Sequence, residues 1–242
     1  MMTKQLSLSY AVFFVVLCIN IAVWMPLKNQ RATWLNVPPA ASDFSASVIG
    51  FGDKQFAYRA LSIVIQNLGD SGGRVVSLTD YNYDRLGDWF FMLSRLDPKS
   101  NFVPMMAAYY FGSTSDSSQL TPLIAYLEHV GTSVEGEKWR WLAQAAYLAR
   151  FGQDDLDEAL RLAHKLAALD IPNMPIWAAQ MPAFVSIQRG EKEAALEMMM
   201  ALLREEQDNM HPNEINFVAH TICHRLLEPD QWEGYPFCKD TK

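Results

Sequence analysis

The chain has 242 residues, half of them hydrophobic, so it can bury a substantial core and is not expected to be disordered. Its net charge of -7 repels phosphate backbones and argues against a nucleic-acid-binding protein. There are three cysteines and no CxxC pair, which excludes a disulfide-built scaffold, a zinc ribbon and c-type haem attachment.

The first element that the sequence predicts is a membrane anchor. No charged side chain occurs between Gln5 and Leu27, and residues 10–27 are almost wholly apolar. At about 1.5 Å per residue, such a helix would span the roughly 30 Å hydrocarbon layer. A cleaved signal peptide is the alternative, but no A-x-A-like cleavage site follows. We therefore predict a single-pass transmembrane anchor over residues 1–27, in contact with the lipid bilayer through residues 5–27.

The rest of the chain divides into a spacer, a helical body and a tail. Residues 28–51 contain Pro38, Pro39 and a run of small residues, which is typical of a linker. Apolar side chains at three- and four-residue steps then predict a helical domain over 52–228, and 229–242 form a C-terminal tail. We predict helices near residues 54–68, 84–96, 102–111, 119–130, 137–151, 155–168, 175–189, 191–205 and 213–227.

These helices form pairs, and the pairs recur. The second helix of each pair carries three apolar residues at steps of four and three, and the sets are 34, 39 and 35 residues apart. The sets are Leu86/Phe90/Leu93, Leu120/Ile124/Leu127, Ala159/Ala163/Leu166 and Ala194/Met198/Ala201. With Pro98 and Pro172 closing two repeats, and a glycine turn before two second helices, residues 84–206 resemble tetratricopeptide repeats. The resemblance implies a tetratricopeptide-like α-solenoid of about four helical hairpins, closed by a C-terminal capping helix. The predicted fold is therefore all-α, with the N-terminal transmembrane helix in front of the solenoid.

Two cysteines near the C-terminus predict a cross-link. Cys223 and Cys238 bracket a segment containing proline and glycine that has few other means of holding itself in place. A disulfide there would contribute about 3 kcal/mol in an oxidising compartment. This favours a body on the extracytoplasmic (periplasmic) side of the membrane. The alternative is two unrelated thiols.

The sequence predicts that the protein is not an enzyme and needs no cofactor. Residues 69–73, GDSGG, match the nucleophile region of chymotrypsin-like proteases, but no histidine precedes His129 and the context is the end of a helix. His220 and His224 lie one helical turn apart, with Cys223 beside them and His211 upstream. A metal-binding accessory protein or enzyme that uses the His211–His224 region is therefore the alternative function.

The favoured function is a scaffold that binds a protein partner and helps to assemble or stabilise a membrane protein complex, either transiently or as a permanent subunit. Helical repeats offer an extended binding surface, and exposed aromatic rings often anchor interfaces. Methionines such as Met198 could adapt such a surface, although core filling explains them as well. The candidate partner-binding residues are Trp89, Trp139, Trp141, Tyr147 and Trp177.

Overall fold

A computed structural model describes residues 2–28, 37–69, 75–133, 137–169, 171–172, 174–206, 208 and 210–239. These residues form helices and turns, and no strand occurs among them. The predicted all-α class is confirmed. Of the protease-like segment, only Gly69 is described; it ends a helical turn with φ 84°, and residues 70–73 lie outside the described residues.

Eleven α-helices can be assigned within the described ranges. They are α1 (Met2–Leu27), α2 (Asp43–Ile49), α3 (Lys54–Gln66), α4 (Tyr83–Leu96), α5 (Phe102–Met105), α6 (Thr121–Gly131), α7 (Trp139–Tyr147), α8 (Leu156–Ala167), α9 (Ile176–Arg189), α10 (Lys192–Glu206) and α11 (Pro212–Thr221). Three of them continue into π-helical turns: Met106–Tyr110 after α5, Leu148–Gly152 after α7 and Ile222–Leu226 after α11. Short 3-10 helices occur at Leu78–Asp80, Phe111–Ser113, Ser117–Leu120, Pro229–Gly234 and Pro236–Lys239.

Side-chain caps explain why several helices begin where they do. Asp53 accepts a hydrogen bond from the backbone N–H of Gln55, Asn82 caps α4, and Asp155 accepts from the N–H of Glu158 at 2.9 Å. Each carboxylate or amide satisfies a donor that has no partner within the first helical turn. At the other end of α9, Gly190 adopts the left-handed conformation, with φ 82°, and stops the helix.

The predicted transmembrane anchor is not supported. Among the residues that the structure describes, no helix is both long enough and apolar enough to cross a membrane. The finding contradicts the anchor over residues 1–27, the bilayer contact through residues 5–27 and the single-pass membrane localisation. The predicted extracytoplasmic side of the membrane loses its basis with them.

Part of the predicted spacer packs onto the helical body. Val37 is buried, and its carbonyl accepts a hydrogen bond from Arg85 at 2.9 Å. The carbonyl of Pro38 accepts one from the indole N–H of Trp89, also at 2.9 Å. Side chains of α4 therefore donate hydrogen bonds to backbone carbonyls of this segment. The composition of the segment does not reveal these bonds.

From α3 to α10, consecutive helices pack against each other in chain order. In the second helices, the first three predicted apolar sets are buried, including Phe90, Leu127 and Ala163. The fourth set is shifted by one residue, because Ala195 and Met199 are buried while Ala194, Met198 and Ala201 are half-buried. α10 packs against α9 and against α11 with its π turn. Membership of the tetratricopeptide-repeat family stays a prediction.

The buried side chains form two clusters that meet at α9. The larger cluster extends from Val37 to Ala178 and Val185 on α9. The smaller one contains Ala183 on α9, together with side chains of α10, α11 and the C-terminal segment. Helix α9 therefore contributes side chains to both clusters and joins the body to its C-terminal part.

A charged cluster links α6 to α8 and predicts a pH-dependent stability. Both Nη groups of Arg161 donate to the two carboxylate oxygens of Glu128, at 2.8 and 2.7 Å, and the Lys165 ammonium donates at 2.7 Å. Arg161 foremost, and then Lys165, lower the pKa of Glu128 to about 2. Because this pKa lies below that of the unfolded chain, the stabilisation is complete above about pH 4.5 and is lost as the pH falls toward 2.

We expect Glu128→Gln to lower the free energy of unfolding by about 1–2 kcal/mol at pH 7, a value reduced for the solvent exposure of Arg161 and Lys165. The difference from the unmodified protein should vanish as the pH approaches 2. Urea unfolding across a pH series measures it. Glu137→Gln is the control, since Glu137 pairs with Arg140 at an exposed site. A pH-independent difference for Glu128→Gln would contradict the assignment.

Candidate functional site: an aromatic and arginine surface on the first helices

Exposed aromatic rings recur on the first helix of successive hairpins. They belong to α9 and to α5, α7 and α11 with the π turns that follow these three helices. Those most open to solvent are Tyr109, Tyr110, Tyr147, Phe151, Trp177 and Phe217. Each ring is between 42% and 57% exposed. Large apolar surface left in contact with water on neighbouring elements is a common mark of a binding surface.

Side-chain contacts connect several of these rings into a continuous surface across α7, α9 and α11. The rings of Tyr147 and Phe151 lie 4.9 Å apart, and the Arg150 guanidinium lies 4.7 Å from the Phe151 ring centre. Arg150 then reaches α9, where its Nε donates to Gln188 and its Nη2 donates to the carbonyl of Phe184.

The surface continues onto α11, because the rings of Phe184 and Phe217 are 6.0 Å apart. We call this set the aromatic–arginine surface. Its members are Tyr147, Arg150, Phe151, Phe184, Phe217 and Arg225.

The two arginines of this surface occupy π turns. Arg150 lies in Leu148–Gly152, and the exposed Arg225 lies in Ile222–Leu226. Burial lowers the pKa of Arg150, and the nearby charge of Arg225 lowers it further. Among the described residues, neither arginine has a carboxylate within ion-pair distance. Two like charges therefore lie in one region of surface, and neither forms an ion pair with a described carboxylate.

The π turns account for part of this arrangement. A π turn places one extra residue in a helical turn and changes the direction of the side chains around it, and such turns are frequent at functional sites. The dipeptide Phe-Gly occurs at the end of two first helices, yet Phe111 is buried and Phe151 is 57% exposed. Phe151 lies within its π turn, whereas Phe111 follows the π turn after α5.

The candidate residues taken from the sequence separate into two groups. Trp89, Trp139 and Trp141 are buried, whereas Tyr147 and Trp177 are exposed. The structure thus brings only Tyr147 into the aromatic–arginine surface. Trp177 contacts Trp139 at the opposite end of the first helices, with ring centres 5.5 Å apart.

The buried tryptophans have structural partners. The indole N–H of Trp141 donates to the side-chain oxygen of Asn101 at 2.9 Å, and the same oxygen accepts from the buried Lys138 ammonium at 2.8 Å. Lys138 also donates to the carbonyl of Ser100. These bonds join the start of α7 to the turn before α5, so Trp141 helps to hold two hairpins together.

The histidine region has other roles in the structure. His211 caps α11 by accepting from the N–H of Asn213, while Glu214 accepts from the N–H of His211. The rings of His220 and His224 lie 4.4 Å apart, and Cys223 is bonded to Cys238. Within the described residues, no group of three or more histidine, cysteine or acidic side chains is placed to share a metal ion.

The cysteine pair has the spacing of a disulfide, with Cα atoms 5.5 Å apart and both residues buried. The indole N–H of Trp232 donates to the carbonyl of Cys223 at 3.0 Å. The predicted pairing of Cys223 with Cys238 is confirmed. The bond fixes the C-terminal segment against the π turn that contains Arg225.

Comparison with known proteins supplies no relative: no family model, curated protein or solved structure matches the chain.

Proposed function

We propose that this protein is a non-catalytic, tetratricopeptide-like scaffold that binds a protein partner and helps to assemble or stabilise a protein complex. The main support for this proposal is the aromatic–arginine surface. Half-exposed rings backed by a packed helical body can bury apolar area at small cost in side-chain entropy, because aromatic side chains have few rotatable bonds.

The arrangement of the helices supports the same function. Tyr147, Phe184 and Phe217 come from three helices separated in the sequence. Tyr147 contacts Phe151, Arg150 links Phe151 to Phe184, and Phe184 contacts Phe217. An extended partner segment could therefore contact successive hairpins, as repeat proteins allow. The rings already lie on packed helices, so little ordering is needed when the partner binds.

Site-specific photo-crosslinking tests the proposal in the native host. We expect benzoylphenylalanine at Tyr147 and at Phe217 to capture the same protein, because both positions belong to one surface. The same probe at Glu197, an exposed residue of α10, is the control and should not capture it. Mass spectrometry identifies the captured proteins. Equal capture at all three positions, or none at Tyr147 and Phe217, would contradict the proposal.

A double substitution measures how much two of the rings contribute to the binding free energy. Tyr147→Ala with Phe151→Ala should weaken binding of the captured partner at least tenfold, because the two rings would no longer bury apolar area in the complex. Thermal stability should change little, since both rings are more than half exposed. Isothermal titration of the full chain measures the affinity. A large loss of stability with unchanged affinity would make the rings structural.

A further inference from the structure

The guanidinium of Arg150 is held in place by hydrogen bonds and still has N–H groups that are not used. Its Nε–H is bonded to Gln188 and its Nη2 to the carbonyl of Phe184, which fixes the plane of the guanidinium. The Nη1 group has no acceptor among the described residues. A guanidinium with a fixed plane and unused N–H groups is suited to a carboxylate, because the two groups match in geometry and charge.

Arg225 adds a second positive charge, close enough to lower the pKa of Arg150. It is exposed and makes no ion pair with any carboxylate in the described ranges. The chain has 27 acidic residues against 20 basic ones, and other arginines, such as Arg161 and Arg189, are paired. Two neighbouring arginines that form no ion pair with a described carboxylate are therefore complementary to a negative charge brought by another molecule.

The rings around the two arginines define the rest of the ligand. Phe151 lies beside Arg150, while Phe184 and Phe217 form the adjacent apolar part of the surface. A free anion would leave these rings in water. A peptide that alternates carboxylates with aromatic or large apolar side chains would cover them and neutralise the arginines at the same time.

We infer that the aromatic–arginine surface binds an acidic segment of a protein partner, whose side-chain carboxylates bridge Arg150 and Arg225 while its apolar side chains cover Phe151 and Phe217. This inference rests on the proposed function and specifies the chemistry of the partner. The affinity falls with ionic strength, because the arginines are solvent-accessible and salt screens their charges.

Fluorescence anisotropy with the full-length chain tests the inference. The probe is a fluorescein-labelled, C-terminally amidated peptide that alternates glutamate with phenylalanine, and the comparison peptides carry glutamine or lysine in place of glutamate. We expect the glutamate peptide to bind at least tenfold more tightly than either comparison peptide. Arg150→Gln with Arg225→Gln should remove this preference, while circular dichroism shows an unchanged fold.

Arg59→Gln with Arg204→Gln is the matched control, because both residues are exposed on other helices and the change in net charge is the same. This variant should keep the preference for the glutamate peptide. The inference is overturned if the three peptides bind alike or not at all, or if the control pair loses as much affinity as Arg150 and Arg225.

The crosslinking experiment separates this inference from the proposed function. Capture of the same protein at Tyr147 in the unmodified chain and in the Arg150→Gln, Arg225→Gln variant, with equal yield, would keep the scaffold and reject the acidic segment. Loss of capture in the double variant, with capture retained in the control pair, supports both.

Discussion

A Gly131→Ala variant is expected to lose about 3 kcal/mol of unfolding free energy, near the upper end of what an added methyl group costs in a packed interior. Gly131 ends α6 where it meets α7. A Cβ atom at this position would lie 2.2 Å from the backbone nitrogen of Leu142 and 2.6 Å from its Cβ. These atoms belong to the backbone and its first side-chain carbon, so no rotamer change relieves the contact. The two helices must move apart, and the buried residues between them lose contacts.

Chemical denaturation followed by circular dichroism measures this loss. Gly234→Ala is the control, because a Cβ atom there has no neighbouring atom within 4 Å. The control should differ from the unmodified chain by less than about 0.5 kcal/mol. Similar stabilities for the two variants would show that α6 and α7 do not approach each other as closely as described.

Removing the disulfide is expected to have an effect of similar size. Cys238→Ser opens a cross-link between residues 15 apart, and a loop of that size contributes about 3 kcal/mol through the entropy of the unfolded chain. The loss should be confined largely to the smaller cluster, which contains both cysteines and side chains of α10 and α11. Hydrogen exchange of α11 should therefore rise more than that of α6.

Cys18→Ser serves as the control, since Cys18 is an exposed free thiol. The unmodified protein treated with dithiothreitol should reproduce the behaviour of Cys238→Ser. Equal stability of the oxidised and reduced protein would show that contacts such as that between Trp232 and Cys223 hold the C-terminal segment without the bond.

Most of the helical body could be predicted from the sequence, because periodicity and capping act locally. From α4 onward, the predicted helix starts agree with the observed ones to within about two residues. The register of α10 could not be predicted. Ala194 and Ala195 are both small and Met198 and Met199 are identical in type, so only the neighbouring helices decide which pair is buried.

The N-terminal region shows the limits of composition. The apolar content of residues 10–27 predicted a transmembrane helix, which the described part of α1 does not support. Pro38 and Pro39 predicted a spacer, yet Arg85 and Trp89 bind the carbonyls of this segment. Such bonds join residues about 50 positions apart, and no local pattern indicates them.

The candidate site was the least predictable feature. The tryptophans were predicted to bind a partner because exposed aromatic rings often anchor interfaces, but Trp89 and Trp141 bury their rings and use the indole N–H inside the body. Phe151 and Arg150 were missed because a helical pattern does not reveal a π turn. Their position depends on the extra residue in the π turn Leu148–Gly152 that follows α7.

The meeting of the two buried clusters at α9 has a thermodynamic consequence for binding. Arg150 and Phe151 follow α7, in the larger cluster, whereas Phe217 and Arg225 belong to the elements of the smaller one. A ligand held by all four residues bridges units that could otherwise open independently. Its affinity is then linked to the opening equilibrium of α10 and α11: the ligand suppresses that opening, and a change that makes the open form abundant weakens the complex.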